Sequence, residues 1–136
     1  MKQLFYLLAI SLLAVSCIDV NDDQTNIKTI NLVVNENDWV ENTDSKGFNR
    51  YYSCSFDMPE ISTYVYNSGV VNTYITFDYA SQPLPYVRHL EDAVGNRWTR
   101  TVDYEYERGK MRLFVTNSDF IEDLPEKMTF KVALIW

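Results

Sequence analysis

From residue 28 onward the chain alternates apolar and polar side chains with a period of two, the pattern of strands that bury one face and wet the other. The clearest run is RWTRTVDYEYE, where Trp98, Val102, Tyr104 and Tyr106 share a face with Arg100, and Thr99, Thr101, Asp103 and Glu105 share the opposite one. Arg108, Gly109 and Lys110 then read as a tight turn in which the glycine takes a positive φ. In MRLFVT, Met111, Leu113 and Val115 point inward, and in KMTFKVALIW the inward set is Met128, Phe130, Val132, Leu134 and Trp136. Earlier inward sets are Ile30, Leu32 and Val34, then Tyr52, Cys54, Phe56 and Met58, then Val71, Ile75, Phe77 and Tyr79, with a weaker strand over residues 86–90.

One segment departs from this period. In PEISTYVYNSG, Ile61, Tyr64 and Val65 follow helical spacing, Pro59 stands before them and Gly69 can terminate them, which predicts a single short helical turn between two strands. About seven strands with frequent turn signals predict an all-β domain: an antiparallel two-sheet β-sandwich of the immunoglobulin-like kind. The cysteine and tryptophan spacing of true immunoglobulin domains is absent, so strand order is left open.

The first residues follow another logic. Lys2 supplies a positive start, an apolar run of about a dozen residues follows, and small residues precede Cys17, the layout of a secretory signal and too short for the roughly 20 residues of a spanning helix. Ala14, Val15, Ser16 and Cys17 resemble a bacterial lipobox, although alanine stands where leucine is commonest. That resemblance implies cleavage before Cys17 and acylation of its thiol and new amino group. The expected organisation is a signal peptide over 1–16, a lipidated Cys17 with a flexible acidic tether over 17–27, and a β-sandwich over 28–136. Cys54, the other cysteine, falls on an apolar strand face and reads as a small buried hydrophobe.

The chain carries 12 basic and 19 acidic residues, and removing 1–16 takes away Lys2 alone among them, leaving a net charge of −8. Without a basic cluster, nucleic acid is excluded as a partner. The expected partners are the membrane, through acyl chains on Cys17, and envelope proteins or glycans.

Catalytic chemistry finds little to build on. His89 is the single histidine, and no nucleophile elbow accompanies it. Asn117, Asp119, Glu122, Asp123 and Glu126 are oxygen donors in one loop, but they lack the calcium-loop order, so neither a metal nor a cofactor is assigned. Aromatic residues make up 15% of the chain, and Tyr51, Tyr74 and Phe114 fall opposite the apolar side of their strands, with Tyr66 and Tyr86 near turns. Rigid amphipathic rings suit contact with sugars or proteins, so Tyr51, Tyr66 and Tyr86 are the candidate ligand-binding residues.

The chain resembles a group of short Bacteroidetes-type outer-membrane lipoproteins, through DWVE around Trp39, YYSCSFDMPEISTYVYNSG, LPYVRH, RTVDYEYE and MTFKVALIW. The resemblance implies a β-sandwich and, because Asp19, Asp22 and Asp23 closely follow the cysteine, export to the outer face of the outer membrane. It implies no activity.

Overall fold

The alternating runs form strands because each buries its apolar parity against a second sheet. In the computed structural model, which describes residues 24–136 except Glu122, these are β1 (Ile27–Val34), β2 (Val40–Thr43), β3 (Arg50–Asp57), β4 (Val70–Thr76), β5 (Ser81–Pro83), β6 (Tyr86–Glu91), β7 (Arg97–Glu107), β8 (Lys110–Asn117) and β9 (Met128–Ile135). One helix, α1 (Thr63–Ser68), and a 3-10 turn (Glu36–Asp38) complete the described elements. The expected signal segment, Cys17 and residues 18–23 of the tether lie outside the described residues.

The strands make two antiparallel sheets, of order β1-β9-β4-β5 and β2-β3-β8-β7-β6. The last strand therefore lies between β1 and β4, whereas the immunoglobulin order sets the last strand beside its predecessor in the other sheet. Between the sheets, Val34, Ile75 and Phe130 meet Tyr52, Val102, Leu113 and Val115, while Val71, Val132 and Leu134 meet Met58, Ile61, Val65 and Met111. The Tyr104 hydroxyl crosses the interface to donate to the Val71 carbonyl at 2.7 Å, tying β7 to β4.

Two expectations change. The described strands number nine rather than about seven, because β2 and β5 are short edge strands without a long alternating run. β4 stops at Thr76: the Phe77 N–H donates to the Ala80 carbonyl at 2.7 Å and turns the chain, leaving Phe77 43% and Tyr79 100% exposed instead of inward. In α1 the Ser62 side chain caps the Val65 N–H and turns Val65 into the core, which leaves Tyr64 exposed. Gly69 ends this helix by close approach, since a Cβ there would meet the Ile135 carbonyl oxygen at 2.7 Å and the Val65 carbonyl oxygen at 2.8 Å.

Strand direction gives the sandwich two ends. At the first, Asn26 and Trp136 exchange backbone hydrogen bonds of 2.7 and 3.0 Å, α1 leads into β4, and the β7–β8 turn closes through Gly109 at φ 76°. At the second lie the loops 44–49, 77–80, 92–96 and 118–127.

Candidate binding surfaces

The three tyrosines singled out from sequence are not brought together. Tyr51 lies on the outer face of the five-stranded sheet, its ring 5.9 Å from that of Phe114. Tyr66 sits on α1, 6.0 Å and edge-on to Tyr106. Tyr86 opens edge strand β6 beside Val102, its ring 5.6 Å from Phe77 and under the Arg88 guanidinium at 4.8 Å, and it packs partly against the core. Tyr74 faces outward on the other sheet, with the Lys131 ammonium 5.1 Å from its ring.

Around Tyr51 and Phe114 the outer face forms a hollow of about 720 Å3 that also takes in Val40, Asn42, Ser53 and Arg112. Its polar groups are held in place: Asn42 Nδ2 donates to Ser53 Oγ at 2.9 Å, and Arg112 reaches Ser55 Oγ at 3.2 Å and Glu105 Oε1 at 3.0 Å. A second hollow of about 480 Å3 continues past Ser55 and Arg112 to Asp57, Glu107 and Lys110. Asp103, opposite Phe114 in register, has its carboxyl pushed above the ordinary range by burial, with the Glu105 charge adding to it.

His89 lines a hollow of about 440 Å3 with Glu91, Thr99 and Ser118. They bond to residues of the same hollow: His89 Nδ1 lies 2.9 Å from Thr99 Oγ1, Arg97 Nε donates to Glu91 at 2.7 Å, and Ser118 Oγ accepts the Thr99 N–H at 2.8 Å. A serine nucleophile needs its base in direct hydrogen-bond reach. Cys54 is buried, and burial pushes its thiol up, away from the reactive thiolate. Among the described residues no group of three or more His, Cys, Asp or Glu gathers around a common point for a metal.

The loop end was not foreseen as a site. Phe48, Tyr79, Val94 and Ile121, one on each of its four loops, are 77, 100, 83 and 56% exposed. Two of these loops share a construction. In 44–49, Asp44 Oδ1 accepts the N–H groups of Lys46 at 3.1 Å and Phe48 at 3.0 Å, Oδ2 accepts from Asn49 Nδ2, and Gly47 takes φ 74°. In 92–96, Asp92 Oδ1 accepts the N–H groups of Val94 and Asn96 at 2.9 Å, Oδ2 accepts from Asn96 Nδ2 at 2.8 Å, and Gly95 takes φ 89°. In the last loop Phe120 holds φ 55°, a left-handed conformation uncommon outside glycine. The recurring Asp-x-x-Gly with a closing asparagine, in DSKGFN and DAVGN, is the sequence signal that marks the first two.

These hydrogen bonds hold both carboxyls below the ordinary 3.8, through the Phe48 N–H first at Asp44 and the Asn96 side chain first at Asp92. A folded value below the unfolded one stabilises the loop fully above the unfolded value, and the contribution is lost as pH falls through the folded value. Carboxyl-carbon NMR titration should therefore give midpoints below 3.8 for both residues. In Asp92→Ala, the Val94 and Asn96 amide shifts should already move toward random-coil values at neutral pH.

No family model, curated protein or solved structure matches the chain.

Proposed function

We propose that the protein is a lipid-anchored outer-membrane protein, facing the cell surface, whose sandwich serves as a binding or assembly module and engages a protein of the envelope through its loop end. One observation carries this reading: four loops at the end opposite the emerging N-terminal segment each expose a large apolar side chain, and hydrogen bonds within two of them fix the tips. Surface apolar groups gathered at one end mark interaction sites more often than scattered ones do. Tips already held in one conformation lose less entropy when a partner binds. The lipobox resemblance supports the anchor, and the resemblance to surface lipoproteins supports the location.

A second reading, a glycan-binding accessory of a surface polysaccharide-capture system, is favoured by the hollow around Tyr51 and Phe114. Variants separate the two. Crosslinking in intact cells should lose its specific adducts in Phe48→Asp with Val94→Asp and keep them in Tyr51→Ala. If Tyr51→Ala removes them and the loop variant does not, the loop end is not the contact surface. Binding of the purified protein to envelope polysaccharide that Tyr51→Ala abolishes would establish the glycan reading instead.

A further inference from the structure

The end opposite the loops carries an apolar surface of its own. Ile27, Ile135 and Val70 stand side by side in register on β1, β9 and β4, facing away from the other sheet. Ile27 is 68% and Val70 49% exposed. The row crosses three strands, roughly 10 Å at the usual strand spacing. Two exposed tyrosines of α1, Tyr64 and Tyr66, stand at the same end, immediately before β4. The nearby cation Lys28 is paired with Glu60 at 3.1 Å.

What covers this end follows from where the chain leaves it. β1 begins at Ile27, so residues 18–26 are all that separate the row from Cys17. Nine residues reach at most about 30 Å when fully extended. We propose that this end rests on the lipid surface: Ile27 and Val70 sit against the boundary between headgroups and acyl chains, with Tyr64 and Tyr66 at headgroup level. The proposal rests on the lipid-anchor reading of Cys17 and extends it from the acyl chains to the folded domain.

The chemistry fits an uncharged interface. Branched aliphatic side chains bury apolar area, and tyrosine rings place an apolar body and a polar hydroxyl across the polarity gradient of the headgroup region. The chain is acidic overall, so zwitterionic phosphatidylethanolamine suits this contact better than anionic lipid. So small a row is too weak to hold a free protein on a bilayer. A short tether changes this, because it makes the contact intramolecular at an effective concentration in the millimolar range. The row lies at the strand ends opposite the four loops, so the contact keeps this end nearer the membrane than the loop end.

The test uses the full acylated protein in vesicles of phosphatidylethanolamine and phosphatidylcholine. An environment-sensitive fluorophore is attached through Tyr64→Cys or, at the loop end, through Val94→Cys; both positions are exposed, and buried Cys54 is protected from labelling. The expected result is a blue-shifted emission at the Tyr64 position, quenched at least two-fold by brominated lipid, with no change at the Val94 position. Adding Ile27→Asp and Val70→Asp should abolish the response while the protein still sediments with the vesicles. Sedimentation with no response at Tyr64, or with equal responses at both ends, overturns the proposal and leaves the anchor standing. Failure to sediment, together with absence of acyl chains by mass spectrometry, overturns the anchor and this contact with it.

Discussion

Replacing Phe130 by alanine should destabilise the domain by about 3–5 kcal/mol, the usual cost of deleting a buried aromatic ring. Phe130 is fully buried, on a strand paired along its length with β1 and nearly along its length with β4. Its ring packs in the core cluster with Leu113, Val115 and Met128, and hydrogen bonding on both sides of β9 keeps the backbone from collapsing into the space it leaves. Domains of this size are stable by roughly 5–15 kcal/mol in total, so the variant should lose a large fraction of its stability. At about 4 °C or more per kcal/mol, Tm should fall by some 12 °C or more. Urea unfolding with an unchanged slope measures the loss. The control is Val33→Ala on β1, whose side chain is 48% exposed and whose substitution should stay within about 0.5 kcal/mol. Equal effects at the two positions would mean that the sheets do not pack face to face through β9.

The same contrast shows what the sequence could reveal about the fold. Period-two alternation reports burial directly, so long strands with one dry face were readable: β9 presents Phe130, Val132 and Leu134, and β8 presents Met111, Leu113 and Val115, all at the parity expected. β2 and β5 were not readable, because Val40–Thr43 and Ser81–Pro83 are edge strands held by backbone pairing on one side and carry too few core side chains to show a period. Phe77 and Tyr79 continued the parity of β4 past the point where the chain turns. Parity alone cannot report a strand end, whereas a turn hydrogen bond sets one.

The surfaces were legible to different degrees. Tyr51 and Phe114 were placed on an exposed strand face by parity, and they do form a ring pair at the floor of a hollow. Whether Tyr51 and Tyr86 would share that hollow depended on sheet order, which alternation does not encode. β6 lies at the far edge of the sheet from β2, and Tyr86 turns partly toward the core. Phe48 and Val94 belong to no periodic segment. Their common location arises only once the strands are paired and the loops fall at one end.

The proposed anchor at Cys17 predicts the largest effect on where the protein resides. Cys17→Ala should abolish incorporation of a fatty-acid analogue and remove the protein from the outer-membrane fraction. Each buried methylene contributes about 0.8 kcal/mol, so one chain of some fourteen carbons gives only marginal, reversible binding, and two or more chains make retention stable. No helix among the described residues is long and apolar enough to cross a membrane, so retention through the described residues would have to come from other contacts. The apolar row at Ile27 and Val70 is far too small to replace acyl chains once the tether no longer holds it near the bilayer. Cys54→Ala is the matched control: it removes the other thiol, which is buried and held protonated by its surroundings, and it should leave labelling unchanged. Labelling that persists in Cys17→Ala, or that disappears in Cys54→Ala, would move the attachment point away from Cys17. The proposed contact of Ile27 and Val70 with lipid would then lose its basis, because it depends on a short connection between the acyl chains and the start of β1 at Ile27.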